Sequence, residues 1–314
     1  MMSMRTKSLR QQFADTMLDV GKQDKSLVVM VGDISHGILQ PFSKAYPNRY
    51  YNVGICEPTI VNMGAGLSKV GLTPVLHTIA PFLIERSYEQ IKLDYGYQNL
   101  PVNLISVGGS FDYAQLGCSH HTYADVSMMC HFKRANVFVP GSALEFDSLF
   151  KQVYKNNSIN YYRLPNNPHG IEFNPSDIQS GKAIKVREGN DITMVTMGTH
   201  LKTVLAVADK LSSEGKSTEV LYYHSIKPFD YLELRKSVEK TGRVLSIEEL
   251  SAHDGLYNQV LKACIGLSPI VAHQIAVEDF IHGYGNYKDL CEKVGLTEPQ
   301  IFKTAIKLLE TRNG

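Results

Sequence analysis

The stretch Val53-Gly54-Ile55-Cys56-Glu57-Pro58-Thr59-Ile60-Val61-Asn62-Met63-Gly64-Ala65-Gly66-Leu67 reads as the end of a strand, a tight turn, one carboxylate and a helix opened by proline in its first turn. Gly64 and Gly66 each cost that helix roughly 1 kcal/mol against alanine, so two of them imply close approach by another backbone or a flat ligand. Glu57 lies where the helix dipole favours its charged form, while Ile55, Ile60 and Val61 disfavour it. Such a carboxyl is tunable. It is also what an ordinary acidic complement to a helix N-terminus looks like, and other motifs must separate the two readings.

Upstream, Ser8 to Gly21 places Leu9, Phe13, Met17 and Val20 at helical spacing and stops on glycine. The continuous apolar run Leu27-Val28-Val29-Met30-Val31 predicts a strand covered on both faces. Downstream, strands are expected at Thr73 to Ile79 and Val102 to Val107, with a helix from Ala80 to about Tyr97 between them. Gly108-Gly109-Ser110 then opens a polar and aromatic loop of roughly fifteen residues, longer than most connections and therefore a place to look for function. Asn136 to Val139, a helix from Ala143 to Tyr154 and a strand Asn160 to Arg163 complete the unit. Over Leu164 to Glu188 the residues Pro165, Pro168, Gly170 and Pro175 break any period. Beyond them strand and helix alternate again, from Ile192 to a last amphipathic helix at Pro299 to Leu309. The alternation predicts an α/β chain with two doubly wound parallel-sheet domains, 1–165 and 189–314, joined by a linker over 166–188.

A length of 314 residues suits two domains. With 32 basic and 31 acidic residues there is no global electrostatic case for nucleic acid or an anionic membrane. No apolar run is long enough to cross a bilayer, and the first residues hold no apolar signal core. Cys56, Cys118, Cys130, Cys264 and Cys291 form no CxxC pair and no zinc spacing, and read as reduced thiols of a cytoplasmic protein with no metal site of its own.

Three features in order, Gly54-Ile55-Cys56-Glu57-Pro58, Phe82-Leu83-Ile84-Glu85-Arg86-Ser87-Tyr88-Glu89-Gln90, and Gly117-Cys118-Ser119-His120-His121 with Asp125, resemble the pyrimidine-binding domain of transketolases and of the related deoxyxylulose-phosphate synthases. Ile192 to Leu211, the Lys227-Pro228-Phe229-Asp230 turn and Tyr287 to Leu309 are similar to the transketolase C-terminal domain, so the resemblance covers nearly the whole chain. It implies thiamine diphosphate as cofactor. In that family a glutamate at the position of Glu57 hydrogen-bonds a ring nitrogen of the aminopyrimidine and favours the imino tautomer, whose neighbouring nitrogen removes the thiazolium C2 proton. The resemblance makes Phe82 the aromatic stacked on that ring and puts Ile55, Arg86 and Tyr88 among the cofactor contacts. Phe82 alone would also pass for core packing. His120 takes the place of a histidine that contacts substrate or intermediate, with His121 beside it and Asp125 orienting the loop; the sequence leaves open which histidine points inward. Arg163 matches an arginine aimed at a sugar phosphate, and is equally readable as a surface ion-pair residue.

The family's diphosphate motif, Gly-Asp-Gly followed about thirty residues later by Asn, holds Mg²⁺ through oxygen ligands. Nothing in the chain matches it, since Gly32-Asp33-Ile34 lacks the second glycine. The resemblance therefore implies the C-terminal half of a split transketolase, a transferase subunit that moves a two-carbon ketol unit between sugar or sugar-phosphate substrates. A separate N-terminal subunit would supply the diphosphate site and Mg²⁺, with thiamine diphosphate shared between chains in an α2β2 heterotetramer. Gly37, Gly108, Leu116 and Cys118 stand where transketolases often carry serine, histidine, aspartate and proline. That puts ordinary pentose phosphates in doubt and leaves His36, His77 and Tyr113 to line a differently shaped pocket, suited to a modified or carrier-linked sugar. Two alternatives share the fold: the β subunit of a 2-oxo-acid dehydrogenase, which the Gly117 to His121 loop speaks against, and a non-catalytic interaction subunit, because fold alone guarantees no chemistry.

Overall fold

Continuous apolar runs alternating with amphipathic segments become two sheets in the computed structural model, which describes residues 7–311. The strands are β1 (Leu27–Val31), β2 (Tyr50–Asn52), β3 (Thr73–Ile79), β4 (Val102–Val107), β5 (Ala135–Phe138), β6 (Ile159–Leu164), β7 (Ile184–Arg187), β8 (Ile192–Thr196), β9 (Thr218–Tyr222), β10 (Ser225–Lys227), β11 (Arg243–Ser251) and β12 (Val271–Val277). The first sheet has the order β10-β5-β6-β4-β3-β1-β2 and is parallel except for β10, which comes from the second half of the chain and pairs antiparallel with β5. The second has the order β12-β11-β8-β9-β7, parallel except for β7.

Both sheets are covered on two faces, as the apolar runs require. In β1, Leu27, Val29 and Val31 face the core shared with the helices Leu9–Gln23 and Ala143–Val153, while Val28 and Met30 face the opposite core with Ile60 and Val61 of the helix Glu57–Lys69. In the second sheet the helices Leu201–Ser213 and Glu298–Glu310 share one core, and Tyr231–Thr241 and Leu256–Cys264 contribute to the other. No described helix is long and apolar enough to cross a membrane.

Two segments differ from their sequence reading. The stretch read as linker up to 188 carries β7, because Ile184 is buried and registers with Tyr222 on β9. The helix expected from Ala80 to about Tyr97 is present but widened. Arg86 N–H donates to Pro81 at 3.0 Å and Gln98 N–H to Leu93 at 3.3 Å, five residues back in each case. Such wide turns are uncommon and concentrate at functional sites.

The two units are fastened through a buried carboxylate. Glu145 accepts from Gly141 N–H at 2.8 Å, Ser142 Oγ at 3.0 Å, His169 Nε2 at 2.7 Å and the Tyr222 hydroxyl at 2.7 Å. His169 Nδ1 accepts from Ile171 N–H at 3.0 Å, which leaves Nε2 to donate to Glu145. Burial raises the Glu145 pKa, but the bond from His169 and the other donors outweigh it and leave the carboxyl below its ordinary value. Gly141 lets the units close up, since a Cβ there would lie 2.2 Å from the His169 ring and 2.6 Å from the Gly198 carbonyl.

The two glycines of the Glu57 helix have different reasons. A Cβ on Gly64 would meet the Tyr95 hydroxyl at 2.7 Å and Leu76 at 2.8 Å, whereas Gly66 has nothing within 4 Å and faces outward. Gly64→Ala is therefore expected to lose about 1–2 kcal/mol of stability through overpacking, and Gly66→Ala to gain about 1 kcal/mol from helix propensity. Urea denaturation of the two variants measures both, and the opposite ranking would contradict the packing described.

Candidate active site

Between the neighbours β1 and β3 the chain changes direction, β1 leading to β2 on one side and β3 to β4 on the other. The crevice outside the carboxyl ends at such a switch point is where parallel sheets take ligands. The loop after β1, the turn before the Glu57 helix, the widened helical stretch 81–97 and the loop 108–125 all start from those ends.

Asn52, at the end of β2, ties the first two together. Its Oδ1 accepts from Asp33 N–H at 3.0 Å and Gly54 N–H at 3.1 Å, and its Nδ2 donates to Asp33 Oδ1 at 3.0 Å. Glu57 then opens its helix with a side chain only 2% exposed. Arg86 Nη1 donates to Glu57 Oε2 at 2.7 Å, and the guanidinium carbon lies 4.2 Å over the Phe82 ring. Glu57 Oε1 takes no hydrogen bond among the described residues. Phe82 meets the His120 ring edge-on at 5.1 Å, and Tyr113 meets His120 at 6.2 Å. Ser119 Oγ lies 3.0 Å from His120 Nδ1. Ile55, beside this group, is 70% exposed.

The structure thus brings Glu57, Phe82, Arg86 and His120 together. It separates the two histidines: His120 is partly open beside Phe82, while His121 is buried, with Nδ1 3.1 Å from the Tyr123 hydroxyl and Nε2 unpartnered. Burial pushes the His121 pKa down.

Other candidates stand elsewhere. Tyr88 sits two residues past Arg86 and so faces another way, packed on Phe132 at 5.4 Å. His36 is exposed and bonds to none of the residues above. Arg163 is neither a surface residue nor free for a phosphate: its side chain is 2% exposed and bonded to Asp125 and Ser110 at 2.9 and 2.6 Å. A guanidinium in that position is spent on internal pairing.

His77 is also internal. Its Nδ1 lies 2.8 Å from the Ile105 carbonyl, which can only accept, so Nδ1 carries the proton and Nε2 accepts from Ser35 Oγ at 2.8 Å. Ser35 Oγ in turn accepts from Arg10 Nη2 at 3.0 Å. Arg10 is the residue that sequence reading passed over. The helix Leu9–Gln23 leads directly into β1 and returns along it, so the first turn of that helix lies at the carboxyl edge of the sheet. Arg10 Nε is buried there without a partner. A cation in the first turn of a helix, where the dipole disfavours it, was the available signal.

Comparison with known proteins matches residues 5–166 to the transketolase pyrimidine binding domain and residues 181–301 to the transketolase C-terminal domain. The chain is 29% identical over 308 residues to the 6-deoxy-6-sulfo-D-fructose transketolase subunit SqwH of Clostridium sp. (strain MSTE9), covering 97% of this chain and 95% of that one. It is 29% identical over 304 residues to an apulose-4-phosphate transketolase subunit of Phocaeicola vulgatus, covering 96% and 97%. The 1-deoxy-D-xylulose-5-phosphate synthase of Desulfotalea psychrophila is 28% identical, with 95% of this chain matching 47% of that one. A solved chain described as a split gene transketolase, inactive beta4 tetramer, superposes with a TM-score of 0.87 at 29% identity over 96% of this chain and 98% of that one. The transketolase of Campylobacter jejuni shares the fold, with a TM-score of 0.81 at 15% identity over 96% of this chain and 47% of that one.

The buried His77 sets a pH dependence. Burial pushes its pKa from the ordinary 6.5 down to about 3, against the raising effect of the bond to Ile105. The neutral ring contributes stability in full above pH 6.5, and that contribution is lost as pH falls from 6.5 toward 3. The expected slope is about 1.4 kcal/mol per pH unit. Denaturation of the wild-type chain against His77→Gln between pH 7 and pH 4 should show this slope only with the histidine present; parallel curves would contradict the assignment.

Proposed function

The chain belongs to the transketolase family, and on that premise we propose that it is the second subunit of a split transketolase, a transferase half-site completed by a separate chain carrying the diphosphate-binding domain. The observation that carries this reading is Glu57, buried at a helix N-terminus with one oxygen held by Arg86 and the other free, beside the apolar surfaces of Phe82 and Ile55. The relatives named as subunits have nearly the same extent as this chain, while the synthase is about twice as long. That supports a partner supplying the other half.

These residues fit thiamine diphosphate. A heteroaromatic ring needs a flat apolar face and a carboxyl to share a proton with a ring nitrogen, and Phe82 and Glu57 offer both. When bound, the cofactor supplies the electron sink that lets a carbon–carbon bond beside a carbonyl break. Glu57 holds the proton at the ring nitrogen. Arg86, with a side chain 46% exposed, keeps the carboxylate paired and covers one face of the Phe82 ring, leaving the other for the cofactor. His120 holds a substrate oxygen and moves a proton to or from it. Arg10, at the carboxyl edge with an unpartnered Nε, takes the anionic end of the substrate, the part that the internal Arg163 leaves vacant. Two relatives are named for a sulfonated sugar and a sugar phosphate, which supports an anionic sugar derivative as substrate.

Mg²⁺ falls to the partner, whose oxygen ligands would hold it with the diphosphate. The partner's seat is the turn before the Glu57 helix together with that helix's outer face, where Ile55 on the turn and Met63 and Gly66 on the helix are exposed. Two such pairs make an α2β2 heterotetramer, and the similar tetramer of one chain type, described as inactive, supports the need for the second kind of chain. The five free cysteines suit a reducing cytoplasm.

With the partner present, Glu57→Gln is expected to lower turnover on the order of 10²–10⁴-fold, the scale of a lost proton-transfer group. Near-normal turnover would overturn its role. Arg10→Ala is expected to raise KM for the anionic substrate about tenfold or more with kcat largely kept, the pattern of lost uniform binding. An unchanged KM would remove Arg10 from the site.

A further inference from the structure

Gly108 follows β4 with its backbone in the left-handed region, at φ +71°, and the space beside it is filled from farther along the chain. A Cβ there would lie 2.0 Å from Tyr113 Cε2 and 2.4 Å from Cδ2, closer than unbonded atoms approach. The ring of Tyr113 therefore takes the place that a side chain at the end of this strand would hold, and both the conformation and the contact ask for glycine.

The chain holds the ring there from both sides. Asp112 N–H donates to the Gly109 carbonyl at 3.1 Å, and the Asp112 carboxylate accepts from Asn166 N–H at 2.9 Å and Asn167 Nδ2 at 3.3 Å. Leu116 N–H donates to the Tyr113 carbonyl at 2.9 Å. These bonds fold the start of the loop 108–125 back over the carboxyl end of β4, the neighbour of β3. Tyr113 is half-buried in that position, so part of its surface remains open to a ligand.

The ring meets His120 at 6.2 Å, on whose imidazole Phe82 also packs. Its hydroxyl is near enough to Arg10 and Asn166 for both to act on it: burial raises its pKa, and the Arg10 charge and the Asn166 side chain offset only part of that rise. The hydroxyl is thus protonated at neutral pH. Tyr113 stands between the two groups assigned above to opposite ends of the substrate, His120 at the reacting oxygen and Arg10 at the anionic end. A substrate held by both must pass this ring, and the bulk of the ring limits how much chain fits between them. One carbon more or less in a packed pocket changes selection by about 10–200-fold.

We infer that Tyr113 is the specificity-determining residue for substrate chain length, an inference that rests on the transketolase reading and adds to it the residue that sets the span from His120 to Arg10.

The test uses the complex of this chain with its partner, supplied with thiamine diphosphate and Mg²⁺. Hydroxypyruvate is the donor, and the acceptors are aldose phosphates of rising length: glyceraldehyde 3-phosphate, erythrose 4-phosphate and ribose 5-phosphate. The readout is the ratio of kcat/KM between the five-carbon and three-carbon acceptors, because a merely structural loss lowers both together and leaves their ratio. Tyr113→Ala is expected to raise that ratio about tenfold or more, and Tyr113→Phe, which keeps the ring, to leave it near the wild-type value. Melting temperatures of the variants check that each is folded. Oxidation of hydroxypyruvate by ferricyanide in the wild-type complex, which needs no sugar acceptor, tests the underlying reading separately. A wild-type complex without that activity overturns the transketolase reading and the inference with it. With that activity present, an acceptor ratio unchanged by Tyr113→Ala, acceptors taken by neither form, or a Tyr113→Phe shift as large as that of Tyr113→Ala overturns the inference alone.

Discussion

A guanidinium taken out of water must be paired, and the burial of Arg163 organises this molecule around that requirement. Its Nε donates to Asp125, its Nη2 to Ser110 Oγ and, at 3.4 Å, to the Thr122 carbonyl, while Glu249 Oε1 of the second unit lies 3.7 Å from Nη1. The Tyr161 hydroxyl donates to the same Asp125 oxygen, and Ser110 Oγ donates to the Glu249 carbonyl. Gly109 is glycine because a Cβ would come within 2.3 Å of Arg163 Nε. One internal charge therefore fixes the end of β6, both ends of the loop that carries His120, and the carboxyl end of β11. The loop that presents His120 to Phe82 is polar along most of its length, and this pairing gives it a fixed shape where apolar burial is scarce.

That dependence also explains what the sequence disclosed and what it concealed. A continuous apolar run such as Leu27–Val31 has one stable use, a strand covered twice, and its alternation with amphipathic segments along the chain made the layered α/β architecture and both sheets legible. The order of the Glu57, Phe82 and His120 motifs carried the family and the grouping of those three with Arg86. An arginine at a strand end, by contrast, looks the same whether it faces solvent, a phosphate or a buried aspartate; only the fold brings Asp125 and Glu249 to Arg163. Tyr88 was misplaced because two residues along a helical stretch reverse the direction of a side chain. Arg10 was missed because its significance lies in the direction of a helix relative to β1, which no local pattern encodes. β7 was hidden in a stretch whose prolines and glycine end before Ile184.

The Glu57 region has the physical character of an unfinished surface. A carboxylate 2% exposed adjoins an isoleucine 70% exposed, and the outer face of the same helix carries a glycine that nothing in this chain approaches. Burying one while exposing the other is costly for a chain acting alone. It is reasonable for a surface that another chain and a flat ring cover together, where Gly66 admits close approach and Ile55 is removed from water. The internal side of the site, by contrast, is braced within the chain: Asn52 holds the turn, Arg10, Ser35 and His77 form a continuous hydrogen-bonded line into the sheet, and Phe82 packs against His120.

The shared site is tested most directly by purifying the tagged chain under native conditions from the cells that make it and measuring how much thiamine diphosphate and which second chain come with it. A half-site predicts cofactor retained only together with a second chain in about equal amount, and little or none on the chain once it is separated. Tight, stoichiometric binding of thiamine diphosphate by this chain alone would contradict the shared site and require the diphosphate to be held by residues of this sequence.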